Sequence, residues 1–290
     1  MELLLRSVCL PLMPDKMEIT MDKTIKILAI DDEQVILDSI VKLCGAEGWT
    51  VDPVISALDG IKKVESQKYD LIVSDIMMPD MDGFEFINKL HSKNIKTPVI
   101  ITTGFSTVEN AVKSLYTGAI DFLPKPFTFD ELISNIKRGL KYAELFKRAN
   151  KIGYDSDAAD TSIIYIPCPP RYKRLGYATW SYLEDDGSVK IGLTDLLLRT
   201  IDTIENISLN NLDDEIIQGN CCCQIESGDQ LVHNILAPIS GRIIKRNEQV
   251  LQNHTLVEKD PYFEGWLYII VPANLEYESK QLVPCSSDRL

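Results

Sequence analysis

An α/β domain followed by a mainly β domain is the fold class that this sequence predicts, and three observations predict it. Between residues 24 and 148, short apolar runs alternate strictly with stretches of helical periodicity. Between 149 and 162 the chain turns polar, rich in Gly, Ser and Asp. Beyond 163, short β-rich runs are broken by turns. A length of 290 residues suits two domains. Alternating β and α units imply a doubly wound (βα)5 parallel sheet with helices on both faces.

The first domain reads in order. Ile25 to Ile30 is a strand, and Gln34 to Ala46 is an amphipathic helix carrying Val35, Ile36, Ile40, Leu43 and Cys44. Thr50 to Ile55 is a more polar strand, and Leu58 to Val64 a short helix. Leu71 to Ser74 is the third strand, and Gly83 to His91 a helix with Phe84, Phe86, Ile87 and Leu90. Pro98 to Thr102, helix Thr107 to Tyr116, strand Ala119 to Leu123 and a long helix from Phe129 to Arg148 complete it. Leu132, Ile136, Leu140 and Ala143 make a stripe on that last helix that suits domain core better than a dimer seam.

In the second half, Tyr177 to Leu183 and Ser188 to Leu193 flank Glu184-Asp185-Asp186-Gly187, a hairpin turn. Strands Cys221 to Ile225, Asn234 to Ala237, Gly241 to Lys245 and Gly265 to Val271 follow. The domains are set at 24–148 and 163–273, with a linker at 149–162 and a C-terminal tail at 274–290. Residues 1–23 form an N-terminal extension expected to be disordered, with true starts on offer at Met13, Met17 and Met21.

Composition narrows the function. A formal net charge of -13 leaves nothing to gain from phosphate backbones, so no nucleic-acid partner is expected. No helix-turn-helix or Walker pattern is present, and no apolar segment is long enough for a membrane span. Seven Cys, at 9, 44, 168, 221, 222, 223 and 285, are irregularly spaced; this suits reduced thiols in a cytoplasmic protein. In Cys221-Cys222-Cys223, strand alternation puts the outer two on one face and Cys222 on the other; adjacent thiols make a poor zinc site. His233 and His254 are isolated in sequence and are given no site.

Chemistry-bearing residues gather at the predicted strand ends. Asp31 and Asp32 end the first strand, Asp75 the third, Thr103 the fourth and Lys125 the fifth. The carboxyl ends of strands in open α/β sheets border the ligand crevice. Each residue alone has an ordinary structural explanation, as a cap, a β-former or a solvated lysine. Together, three acids, a hydroxyl and a lysine can hold a magnesium ion and a phosphoryl group.

Those residues, with Met78-Pro79, Asp82-Gly83, Thr103-Gly104 and Lys125-Pro126-Phe127, resemble the receiver domain of two-component response regulators over about 125 residues. The resemblance implies that Asp75 is the phosphoacceptor. It implies that Asp31, Asp32, Asp75 and the Met77 carbonyl hold Mg2+, and that Thr103 and Lys125 bind the phosphoryl group. It gives Phe122 the place of the switch aromatic, without the phenol of a tyrosine, and implies a cis Lys125–Pro126 bond. Asp80 and Asp82 are expected to shape the loop, with Gly83 permitting its backbone angles. The protein would assist its own phosphorylation and dephosphorylation without being an enzyme otherwise. Its partners would be a histidine kinase or phosphotransfer protein and an output protein, and the 107–148 face would signal and offer a homodimer contact.

Trp180, Gly192-Leu193-Thr194-Asp195, Glu226-Ser227, Ala237-Pro238-Ile239-Ser240-Gly241, Asn247-Glu248 and Asp260 through Leu267 resemble the glycine-cleavage H protein. The resemblance implies a β sandwich or flattened barrel, related to lipoyl and biotinyl carrier domains. That family carries lipoate on a hairpin-tip lysine, where Asp229 or Gln230 stands here; residues 224–238 contain no lysine. The family's histidine two residues before the tryptophan is Ala178. No lipoate is therefore expected, and the domain reads as a protein-interaction module. The rival reading is a phosphorylation-regulated lipoyl or aminomethyl carrier.

Overall fold

The computed structural model describes residues 24–152 and 164–286, so the expected extension and most of the expected linker lie outside the described residues, as does Cys9. Its first sheet is fully parallel, with strands β1 (Lys26–Ile30), β2 (Thr50–Val54), β3 (Leu71–Asp75), β4 (Val99–Thr103) and β5 (Asp121–Pro124) in the order β2-β1-β3-β4-β5. Ile27, Ala29, Leu71, Val73 and Ile100 enter one core cluster, while Leu28, Ile30, Ile72, Val99 and Ile101 enter another. A period of two with apolar residues on both sides demands cover on both faces. Helices α1 (Gln34–Ala46) and α5 (Phe129–Ile152) contact each other, whereas α2 (Ala57–Ser66), α3 (Gly83–Ser92) and α4 (Val108–Thr117) touch in series. Helix α5 continues past 148 into the stretch read as linker.

Local chemistry sets these helices. Ser56, Asp82 and Thr107 each accept a backbone N–H at the start of α2, α3 and α4. Asp80 reaches across the loop to accept from Ser56 Oγ at 2.8 Å and Leu58 N at 2.9 Å. Both loop acids thus anchor helix starts. Gly83 has a different task from the one expected of it: its backbone angles are ordinary, but a Cβ there would lie 2.5 Å from the Asp75 carbonyl oxygen.

The second domain is antiparallel. Strands β6 (Lys173–Leu175), β7 (Thr179–Leu183), β8 (Val189–Leu193), β9 (Ile204–Leu209), β10 (Glu215–Ile216), β11 (Cys221–Ser227), β12 (Val232–Leu236), β13 (Gly241–Arg246), β14 (Trp266–Pro272) and β15 (Val283–Pro284) make two sheets. One has the order β10-β13-β14-β8-β7-β6-β15, the other β12-β11-β9. Short helices α6 (Asp195–Leu198), α7 (Glu248–Gln252), α8 (Thr255–Lys259) and α9 (Leu275–Glu278) join them. The strings that carry the H-protein resemblance hold this fold together. Trp180 Nε1 donates to the Leu193 and Pro261 carbonyls, at 2.8 and 3.1 Å. Asn247 caps α7 and donates to the carbonyls of Glu264 and Trp266.

Three expectations are corrected. Residues 274–286 are not a tail: β15 pairs with β6, and Glu278 accepts from Ser240 N and Oγ. Cys222 and Cys223 do not point to opposite faces; a register shift between Cys221 and Cys223 turns both inward and leaves Cys221 exposed. Finally, the 107–148 face is not free for a homodimer. The second domain covers it, because β12 and α6 contact α5 while β6 contacts α4. One core cluster draws on both domains, and Tyr142 of α5 packs on Tyr177 with ring centroids 4.9 Å apart. Gly219, at φ +80, approaches α4 so closely that a Cβ would meet Val112 Cγ2 at 2.9 Å.

Candidate functional site

The carboxyl ends of β1, β3, β4 and β5 bring Asp31, Asp75, Thr103 and Lys125 to one crevice. Asp31 and Asp75 are buried, and Asp32 stands exposed at its mouth. Oxygens of the three carboxylates lie within 4.8 Å of one another, the one acid cluster of metal-holding geometry among the described residues. Lys125 Nζ lies 2.6 Å from Asp31 Oδ2 and 3.2 Å from Asp75 Oδ1, its side chain 8% exposed. Neither of those oxygens accepts an aligned hydrogen bond. Asp31 Oδ1 accepts from Glu33 N at 3.1 Å, and Asp75 Oδ2 from Met77 N at 2.9 Å.

Burial pushes the Asp31 and Asp75 carboxyls up, and the Lys125 ammonium opposes the rise in both. Burial would also lower Lys125, but its pairs with Asp31 and Asp75 outweigh that and hold the ammonium above its ordinary value. Two carboxylate oxygens that meet only the Lys125 ammonium, beside a third acid, are a donor set that fits a hard divalent cation. Thr103 is fully buried, and its Oγ1 accepts from Phe105 N at 3.1 Å. The Lys125–Pro126 bond is cis, as the resemblance implied. Phe122 is half-buried and lines a cavity of about 230 Å³ between the domains, with Val108 and Ala111 on one side and Gly219 and Leu236 on the other.

A second constellation lies at the seam, and sequence reasoning missed it. Arg138 of α5 is buried, with its guanidinium Nε 3.2 Å from Asp121 Oδ2 of β5. Its Nη1 donates to His233 Nδ1 of β12 at 2.8 Å. Arginine only donates, so Nδ1 accepts and the ring proton sits on Nε2. Nε2 then donates to Ser227 Oγ at 2.9 Å, and Ser227 donates to Asp229 Oδ1 at 2.6 Å. Asp229 lies 3.6 Å from Lys137 of α5. Burial, then the Arg138 charge, depresses His233 to about 3, so the ring is neutral. No spacing in the sequence could pair Arg138 with His233, 95 residues apart.

The β11–β12 hairpin is therefore turned onto α5. Its tip offers Gly228, Asp229 and Gln230, with Gln230 at φ +63. Lipoate needs an amine nucleophile, and a carboxylate and an amide do not fit that chemistry.

Comparison with known proteins agrees with both halves. Residues 27–137 match the family model "Response regulator receiver domain", and residues 172–287 match "Glycine cleavage H-protein". The transcriptional regulatory protein CusR of Escherichia coli K12 is 35% identical over 116 residues, 40% of this chain and 51% of CusR. Response regulator MprA of Mycobacterium ulcerans is 30% identical over 138 residues, 48% of this chain and 56% of MprA. The chain thus spans about half the length of the curated relatives it matches. Among solved structures, a CheY-like receiver from Methanospirillum hungatei JF-1 is 34% identical with a TM-score of 0.40, covering 42% of this chain and 98% of that one. A glycine cleavage system H protein from Mycobacterium marinum is 24% identical with a TM-score of 0.35, covering 37% of this chain and 87% of that one. The chain joins a response regulator receiver domain to an H-protein-like domain.

Proposed function

We propose that this protein is a phosphorylation-controlled signalling switch in which Asp75 accepts a phosphoryl group and the H-like domain is the output. The observation that carries the reading is the convergence of Asp31, Asp75 and Lys125, with two carboxylate oxygens left without aligned hydrogen bonds. An Asp75 carboxylate oxygen attacks the phosphorus of a phosphohistidine or small acyl phosphate; the new O–P bond forms as the donor's N–P or O–P bond breaks. Lys125 neutralises one phosphoryl oxygen and the Thr103 hydroxyl donates to another. Asp31, Asp32 and Asp75, with the Met77 carbonyl, would hold Mg2+, which supplies charge neutralisation in the transition state.

The output follows from the seam. Lys125 closely follows β5, whose Asp121 grips Arg138, which in turn grips His233 of the hairpin. A movement of Thr103 and Lys125 toward a phosphoryl group shifts β5, and Phe122 has the interdomain cavity to turn into. The Arg138–His233 contact then loosens and exposes the covered face and the hairpin to a partner protein. The donor is a sensor histidine kinase or a phosphotransfer protein. The acidic net charge favours a protein partner over nucleic acid, although several relatives are named transcriptional regulators. Among the described residues no helix is long and apolar enough to cross a membrane.

Hydrogen exchange tests the coupling. Acetyl phosphate with Mg2+ should label the wild-type chain and speed amide exchange in α5 and β12, with no effect on Asp75→Ala. Labelling without any change in exchange would sink the release step.

A further inference from the structure

We propose that Cys168 and Cys285 are the two halves of a reversible disulfide that fastens the C-terminal end of the second domain to its beginning. Their sulfurs face each other at 2.7 Å, although 117 residues separate them in the chain. Both side chains are buried, at 4% and 0% exposure, in a cluster closed by Tyr172, Trp180 and Tyr262. The backbone fixes the approach from both sides. Cys285 N donates to the Tyr172 carbonyl at 3.0 Å, continuing the β15–β6 ladder of Val283 with Arg174 and Pro284 with Lys173. Tyr172 N donates to the Pro169 carbonyl at 3.0 Å, which turns the segment bearing Cys168 back toward that ladder.

The chemistry balances with a peroxide as oxidant. The Cys168 thiol attacks the peroxide O–O bond, giving a sulfenic acid and one water. The Cys285 sulfur displaces the sulfenic hydroxyl, forming the S–S bond and releasing a second water. The two thiols lose two electrons and two protons, and the peroxide gains them. A dithiol reductant reverses the step by exchange. The bond would act on the domain seam, because β6 and the Ser279–Gln281 turn both rest on α4. Both cysteines are reduced thiols in the structure, as the irregular spacing leads one to expect, and the bond would form only on oxidation.

Peptide mass mapping of the full chain is the deciding measurement. After hydrogen peroxide, then alkylation in denaturant, the Cys168 and Cys285 peptides should appear as one linked species, lighter than their sum by two hydrogens. After a dithiol they should appear separately, each alkylated, while Cys222 and Cys223 are alkylated in both samples. Oxidised wild-type protein should melt at a higher temperature than reduced protein, and Cys285→Ser should show no such difference. Separate alkylated peptides after peroxide, or a link from Cys168 to another cysteine, would overturn the proposal; the wild-type mapping separates these outcomes whether or not the variant folds.

Discussion

The crevice and the hairpin both gather charged and hydrogen-bonding side chains, and they face opposite ways. The crevice at the ends of β1, β3, β4 and β5 opens outward, with Asp32 in solvent and the Lys125-paired carboxylates of Asp31 and Asp75 behind it. The β11–β12 hairpin turns inward against α5, its histidine neutral and every polar atom of that ring engaged. The difference teaches what each site is for. Two buried carboxylates that share one lysine keep negative charge in excess, which a bound cation offsets further. A satisfied network has nothing left to bind with, and its return is position.

That contrast can be broken by experiment. The largest effect is expected from Asp75→Ala, which should abolish label incorporation from acetyl phosphate in Mg2+; undiminished labelling would remove the crevice from the reading. Lys125→Ala comes next. A lone lysine in a sequence suggests solvated surface, yet 8% exposure between two buried acids makes removal of this one costly. Uncompensated buried charge costs about 3 kcal/mol, so the melting temperature should fall by several degrees, and Mg2+ should restore part of it. A variant as stable as wild type without Mg2+ would contradict the electrostatic account.

His233→Ala probes the other side of the comparison. It takes away the acceptor of Arg138 Nη1 and the N–H that Ser227 Oγ accepts, and should cost about 2 kcal/mol, with faster amide exchange in α5 and β12 but unchanged phosphorylation. The same histidine gives a pH signature. Its folded value of about 3 lies below the ordinary 6.5, so the unfolded chain takes up the proton first and stability falls as pH drops between those values. Asp229, kept below its ordinary value by Ser227 and Lys137 despite partial burial, adds a loss further down. Urea unfolding across pH should show a flatter profile in His233→Asn. The smallest expected effect is none at all. Wild-type protein incubated with lipoate ligase, ATP and lipoate should gain no mass, and Gln230→Lys serves as the control that offers the missing amine. A mass gain in wild type would revive the carrier reading.

How legible these features were depends on the reach of the signal. Asp31, Asp75, Thr103 and Lys125 could be read because each ends a short apolar run, and strand ends in a parallel sheet share one edge. β9 could not, because its buried residues Ile204 and Ile207 are spaced by three and no alternation shows. β6, β10 and β15 are too short to carry a pattern at all. The Cys222 and Cys223 orientation failed through a single extra residue in the ladder, which alternation does not foresee. Asp121 and Arg138 lie within one β–α unit, but His233 reaches them only through docking of a separate domain.

The glycine at 219 also bears on ancestry. Here a backbone without a side chain is inlaid against Val112 of α4, and the two halves share one buried cluster. A receiver transplanted from elsewhere would bring a different α4 surface and no cognate for His233. Recombination at this junction would be punished, so the two halves are expected to have changed in step, each substitution at Val112, Arg138 or Gly219 answered across the seam. Chimeras that exchange only one half should therefore express poorly, and restoring those three residues together should recover them.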